Sequence, residues 1–347
     1  MGILIHILGK GIRRKVLPDT KIPGNWQAFL RVDENKEELF SFLATATVNI
    51  ATEKIVVSTL KSSAISNRHD CSFVSPSNHE EADTRMLLHA KDASNCEMRK
   101  VCIRTVDTDV LVIAVGMFFK LNLEQLWLSF GVGKNHRYIP VHSICASLGE
   151  VKSFCLPLFH ALTGCDQVSF FGGKGKKNAW NTWSKFEELT PCLESLSSSP
   201  SVEFVDASFP VIERFVVLLY DRTSTDQEVN VLRKHLFASK GRSLENIPPT
   251  KDALFQHIKR AVYQGSYCWN QSLVAKQSLP PPENWGWKID SEIYSITWTT
   301  LPEASQICKE LVRCNCKKEK GCTGRCKCVK ASLKCTELCK CGGDCNS

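Results

Sequence analysis

The sequence predicts an α/β domain, a sheet with helices, that runs into a helical C-terminal extension and then a small zinc-cluster domain. Three observations predict it. Val101–Val106 is a mostly apolar, β-branched run of strand length that delivers Asp107 and Asp109, and a second apolar run, Val110–Gly116, follows at once. Residues 202–275 carry apolar side chains at helical spacing, for example Ile212, Phe215, Val216 and Leu219, then Leu254, Ile258, Ala261 and Val262. Of 18 cysteines, nine lie between Cys314 and Cys345.

Composition narrows the function classes. A chain of 347 residues is long enough for two domains and a sizeable core. Its formal charge of +8 suits a polyanionic partner. No apolar run reaches membrane-spanning length, and the opening MGILIHIL lacks a signal-peptide cleavage pattern. His6 stands where a myristoylation signal needs Ser or Thr. The expectation is a protein that is not secreted, nuclear or otherwise cytoplasmic, with no membrane partner. In a reducing compartment the dense cysteines read as metal ligands rather than disulfides, and the scattered ones as ordinary buried thiols.

In chain order, Ile3–Leu8 is the candidate opening strand, followed by basic Gly9–Lys15 and by Pro18, Pro23 and Gly24. Phe29–Leu43 has helical spacing, Ile50–Leu60 reads as a strand pair or a bulged strand, and Ser62–Ser77 as a polar loop. In His79–Ala90, Ala82, Met86 and Ala90 fall four apart, with Glu80, Glu81 and Asp83 in the first turn, where the helix dipole favours negative charge. A capped amphipathic helix accounts for this stretch. So does a set of carboxylates aimed at a metal, with Glu80 and Asp83 on one face and Glu81 joining only from a non-helical approach. Asp107-Thr108-Asp109 has the same two readings: a turn that caps the next helix, or a pair whose repulsion a divalent cation relieves.

Gln125–Gly131 and His136–Val141 read as adjacent strands joined by a turn at residues 131–134. Glu150–Cys165 has helical spacing, which Pro157 should disturb, and Gly164 suits its end. Three glycines and three lysines then fall within Gly172–Lys177, ahead of a helix beginning near Ala179, Trp180 and Trp183. Glycines let a ligand approach and a lysine-flanked helix start favours phosphate, but Lys177 follows Gly175-Lys176 where a P-loop needs Ser or Thr. Ser195–Ser201 looks like a linker, and Pro248-Pro249 and Pro280–Pro282 mark divisions in the helical part. Trp285, Trp287 and Trp298 read as packing anchors.

The order Glu81-Ala82-Asp83, Asp107-Thr108-Asp109, Leu162-Thr163-Gly164-Cys165-Asp166, Gly172-Gly173-Lys174-Gly175-Lys176 resembles the PIN-like superfamily of metal-dependent nucleases. It is most similar to the flap-endonuclease, XPG-type branch, over roughly residues 75–185. The resemblance implies a PIN-like sheet with Glu81, Asp83, Asp107, Asp109 and Asp166 as catalytic ligands to two Mg2+ ions. It also implies that Gly172, Gly173, Lys174, Gly175, Lys176 and Lys177 form a hairpin that grips a DNA backbone. Departures are visible: the family's opening strand, with a further catalytic Asp, has no counterpart in residues 1–60, and Asp83 stands where Glu is commoner. The hairpin also lacks the family's apolar residues between its glycines. The expected domains are 1–60, a partial N-terminal region with Gly9–Lys15 as an arch remnant; 61–200, the nuclease core; 201–305, the helical extension; and 306–347, the cysteine domain.

That last segment has the pattern C-x-C-x5-C-x3-C-x-C-x6-C-x3-C-x-C-x3-C, formed by Cys314, Cys316, Cys322, Cys326, Cys328, Cys335, Cys339, Cys341 and Cys345. Nine thiolates give three zinc ions four sulfurs each if three sulfurs bridge. The pattern resembles the CXC domains of tesmin-type DNA-binding proteins and the pre-SET cluster of histone methyltransferases. In those DNA-binding relatives a residue just before a C-x-C enters the minor groove, a place that Arg325 takes here. Nine basic and three acidic residues lie between Arg313 and Ser347, so the zinc-loaded segment would keep a charge of about +3. The expected function is DNA binding with a nuclease-like metal site, acting as a Mg2+-dependent structure-selective endonuclease. The alternatives are an inactive DNA- or chromatin-binding protein on a decayed nuclease fold, with chromatin proteins as partners, and a zinc-dependent protein-interaction module.

Overall fold

The computed structural model describes residues 13–238, 246–290 and 293–300, and in the cysteine-rich segment residues 314, 316, 326–330, 334–335, 339 and 341. The chain divides into two compact units, Met1–Trp298 and Thr299–Ser347. The expected strand Ile3–Leu8 and most of Gly9–Lys15 lie outside the described residues.

Among the described residues the first helices of the Met1–Trp298 unit are α1 (Trp26–Leu30) and α2 (Asp33–Val48). The Asn25 side chain accepts the Ala28 N–H, and Asp33 and Glu34 occupy the first turn of α2. The single helix expected over residues 29–43 is thus two, because Val32 is extended (φ −95°, ψ 115°). An antiparallel hairpin follows, β1 (Val57–Leu60) and β2 (Ser63–Ser66), turning through Lys61 at φ 54°. The stretch expected as a polar loop therefore supplies a strand. Its Ser-Ala-Ile-Ser sequence buries no residue fully, so it carries no apolar signal.

Helix α3 (Ala82–Asn95) leads to β3 (Lys100–Thr105), α4 (Thr108–Leu121), β4 (Gln125–Phe130) and β5 (Arg137–Pro140). These strands form one sheet in the order β3-β4-β5, with β3 parallel to β4 and β5 antiparallel to β4. A parallel pair needs a crossover, and α4 is that crossover. Helix α4 is apolar almost all round; Val110, Ile113, Ala114, Met117 and Leu121 are fully buried, as such a helix must be. It packs against α3, α5 (Val141–Leu148) and α6 (Glu150–Leu162). Pro157 sits inside α6 without ending it. Its ring lies against Gly116 of α4, where any Cβ would collide with it, so the missing side chain lets the two helices close.

Four further helices complete the unit's core: α7 (Lys176–Trp183), α8 (Leu189–Ser198), α9 (Val202–Tyr220) and α11 (Lys251–Val262), with α10 (Val229–Ala238) beside α9. The expected Ser-rich linker at 195–201 is largely the end of α8, which buries Leu193, Leu196 and Ser197. Helix α11 runs on into a π-helical turn, Tyr263–Cys268, and the hairpin β6 (Trp287–Asp290) and β7 (Ile293–Ile296) closes the unit. One apolar core extends from Leu87 to Trp285, so the helical extension packs on the sheet rather than standing apart from it. Trp285 is a core residue, whereas Trp298 is exposed with the Arg260 guanidinium 5.5 Å from its ring. No helix among the described residues is long and apolar enough to cross a membrane.

Candidate metal centres

The first centre forms where β3 ends. The Asp107 N–H donates to Thr105 Oγ1 (3.0 Å), which holds Asp107 extended at the N-cap of α4. Asp107 Oδ1 then accepts the Asp109 N–H at 2.8 Å. The capping reading is thereby met, and the same geometry aims both acids outward from one strand end. Across from them α3 begins. Glu81 is its N-cap in extended conformation (φ −93°, ψ 139°), the non-helical approach that lets it join Asp83 of the first turn. Carboxylate oxygens of Asp83, Asp107 and Asp109 lie within 4.8 Å of one another, a group that could hold a metal ion.

These charges repel. Burial, reinforced by Asp107, Glu81, Asp109 and Asp166, pushes the Asp83 carboxyl up to about 6. Asp83 accepts no hydrogen bond among the described residues. Asp166 reaches the site from a tight turn after α6, in which Cys165 and Val168 exchange backbone hydrogen bonds (2.9 and 3.3 Å). Glu81 is driven up by burial and held back by its partners; its two oxygens accept from Gln167 Nε2 (3.5 Å) and Gln264 Nε2 (3.3 Å). The five acids expected at the site therefore meet there, three as a tight group and two at its margins.

Sequence reasoning missed four contributors. His160, buried on the last turn of α6, donates from Nε2 to Asp109 Oδ1 at 3.0 Å. Gln264 comes from the π-helical turn, a feature frequent at functional sites, and the buried Trp269 indole nitrogen borders Glu81 without a hydrogen bond of normal geometry. Gln167 completes the set. Gln264 and Trp269, more than 150 positions downstream of Asp107, leave no spacing signal in the sequence, and one His on an apolar helix leaves little; nearness to Asp166, six positions for His160 and one for Gln167, was the visible clue.

Lys176 behaves differently from the expected phosphate grip. Its ammonium donates inward to the carbonyls of His160 (3.0 Å) and Gly164 (2.5 Å) and to Thr163 Oγ1 (3.2 Å). The carbonyls at the end of α6 lack helical partners, and a cation satisfies them. Burial lowers its ammonium to about 8, against the attraction of Cys165 and Asp109. Lys174 lies over the Tyr220 ring (5.0 Å), Gly172 accepts the Tyr220 O–H (3.2 Å), and Gly173 adopts φ +67° in the turn. Gly175 is the N-cap of α7 and Lys177 stands exposed beyond it.

The second unit carries the second centre. Cys314, Cys326, Cys328 and Cys335 form one group, and Cys314, Cys335, Cys339 and Cys341 another, each close enough to hold a metal ion. The thiols stand 3.6 Å apart for Cys314–Cys341 and Cys328–Cys339, 3.7 Å for Cys314–Cys335 and 4.0 Å for Cys326–Cys335. Zinc–thiolate bonds of about 2.3 Å set tetrahedral S···S separations near ~3.8 Å, so the spacing fits zinc and is far too long for disulfides. Cys314 and Cys335 belong to both groups, as bridging thiolates would. Cys316 is half-buried beside this core. Cys322, Cys345 and Arg325 lie outside the described residues. No family model, curated protein or solved structure matches the chain.

Proposed function

We propose that this protein is a Mg2+-dependent phosphodiesterase acting on DNA, built on a PIN-like core and attached to its substrate by a three-zinc CXC cluster. The observation that carries the reading is the meeting of Asp83, Asp107 and Asp109 within 4.8 Å at the carboxyl end of a parallel strand. The donor set fits magnesium, because it offers only oxygens and Asp83 keeps an unrelieved charge penalty that a hard cation removes. Two magnesium ions, when bound, would supply the charge that activates water and stabilises the leaving oxygen of a phosphodiester. Asp83, Asp107 and Asp109 would hold the ions, with Glu81 and Asp166 in reach from the margins. His160 fixes the orientation of Asp109, and Gln264 and Gln167 fix that of Glu81.

Labelled flap, duplex and single-stranded DNA, incubated with the zinc-loaded protein and Mg2+, should yield shortened product. Ca2+ should support binding without product, and Asp109→Ala should abolish cleavage while the protein stays folded. Product that persists in Asp109→Ala would remove this site from the reaction. One observation favours a second reading, a DNA-binding protein on a decayed nuclease fold: among the described residues no strand bearing a further acid pairs with β3. A shifted band without product under all ions would select it. Neither shift nor product would select the protein-interaction module.

A further inference from the structure

On the other end of α3 a third set of metal-ligating side chains comes together. His69 Nε2 lies 2.9 Å from Asp92 Oδ2 and 4.0 Å from Cys96 Sγ, and the three ligand atoms fall within 4.8 Å of one another. Asp92 is buried, His69 half-buried and Cys96 exposed at the rim of a cavity of about 450 Å³ that all three line. None of these residues belongs to the carboxylate centre or to the cysteine-rich unit.

The arrangement has the geometry of a chelate and not of a nucleophile. In a Cys-His-Asp relay the acid and the thiol occupy opposite ring nitrogens, so that one orients the ring while the other gives up its proton. Here both converge on Nε2. Around a tetrahedral zinc ion with bonds of about 2.0–2.3 Å, neighbouring ligand atoms stand about 3.3–3.8 Å apart. The two separations from Nε2 bracket that range. Nitrogen, sulfur and carboxylate oxygen together are a donor set that zinc accepts and magnesium does not.

Such a link would add to the packing of the hairpin on α2 and to its polar contacts with α3. Strands β1 and β2 bury no apolar residue fully, and a two-stranded hairpin is marginal alone. Polar contacts tie it to α3: Arg85 donates to the carbonyls of Lys61 (2.5 Å) and Ser63 (2.9 Å), and Thr59 Oγ1 meets His89 Nε2 at 3.1 Å. His69 lies just past β2, while Asp92 and Cys96 lie on the last turn and C-cap of α3. Cys71 sits beside them, its thiol 3.7 Å from the His69 carbonyl.

We propose that His69, Asp92 and Cys96 bind one structural Zn2+, which fastens the β1–β2 hairpin to the end of α3, with water or Cys71 in the fourth position. The test is zinc per chain in the full-length protein, measured by elemental analysis after dialysis against metal-free buffer. Cys96→Ser is the main variant; it is exposed and keeps the backbone N–H that caps α3. It should retain the wild-type far-ultraviolet dichroism and hold one zinc fewer. In a background in which all nine cysteines from Cys314 to Cys345 are replaced by Ser, one zinc per chain should remain, and Co2+ in its place should show a thiolate charge-transfer band that Cys96→Ser removes. Equal zinc content with and without Cys96, or no thiolate band in that background, would overturn the proposal and leave a His69–Asp92 hydrogen bond alone. His69→Gln, which preserves size and polarity, checks the result at a second ligand.

Discussion

Asp83 and His257 respond to acid in opposite directions. The Asp83 carboxyl, raised to about 6, binds a proton in the metal-free fold before it does in the unfolded chain. Its repulsion is absent at low pH and develops as pH rises through about 6, so it destabilises the metal-free protein at neutral pH. Asp83→Asn should therefore raise the melting temperature of the metal-free protein at pH 7.5 while abolishing the stabilisation that Mg2+ or Ca2+ gives the parent. In the parent, divalent-cation affinity read by calorimetry should fall as pH drops below about 6, with proton release on binding. His257 is wholly buried; its Nε2 donates to the Leu162 carbonyl (2.8 Å) and its Nδ1 accepts from Ser169 (3.2 Å), so desolvation lowers it to about 4. The unfolded chain protonates this residue first, near its ordinary value. Stability from His257 is full above that value and is lost as pH falls toward about 4, by on the order of 3 kcal/mol. Denaturant midpoints at pH 7 and pH 4.5 should show this loss in the parent, and His257→Gln should flatten it.

Gly116 and Pro157 show why some elements are illegible in a sequence. Alanine in place of a mid-helix glycine gains about 1 kcal/mol of helix propensity. At residue 116 the new methyl group meets the Pro157 ring, and overpacking costs about 1–3 kcal/mol, so the collision wins. Gly116→Ala should lower the melting temperature, and Pro157→Ala should remove most of that penalty when the two are combined. Read alone, Pro157 announces a break in α6; only its partner on α4 allows the helix to continue. The strands β3, β4 and β5 and the helices α9 and α11 were legible, because each carries its own apolar pattern; α4 showed only as an apolar run, since it is buried almost all round. Strand β2 and the end of α8 were not, since serines hide their pairing and burial. The acids were legible at the site because they are dense in sequence. His160, Gln264 and Trp269 were not, because the fold alone brings them to Asp109 and Glu81.

At the scale of the molecule, a basic chain carries both an acidic pocket and a thiol-rich unit, and the proposed function assigns them different metals. Chelation by a strong zinc ligand should strip the cysteine unit first and leave the oxygen site competent for Mg2+, because thiolates prefer zinc and carboxylates the harder ion. Under the proposed function, Cys326→Ser, which breaks one four-thiol group, should weaken DNA binding severalfold in a gel-shift series and reduce its dependence on salt. Asp109→Ala should leave that binding unchanged, since the two centres belong to separate units.

The junction of β3 with α4 has a consequence for reading descendants of this chain. Asp107 caps a helix at the heart of the core, so folding alone is reason enough to preserve it, even in a copy that binds no metal there. Asp83 has a weaker second employment: it sits in the first turn of α3, where the helix dipole favours an acid, but burial and four neighbouring acids oppose its charge. Across diverging copies, a persistent Asp107 would be silent about activity. Under the proposed function Asp83 would be the more informative letter, drifting to a neutral residue in copies that no longer bind the cation.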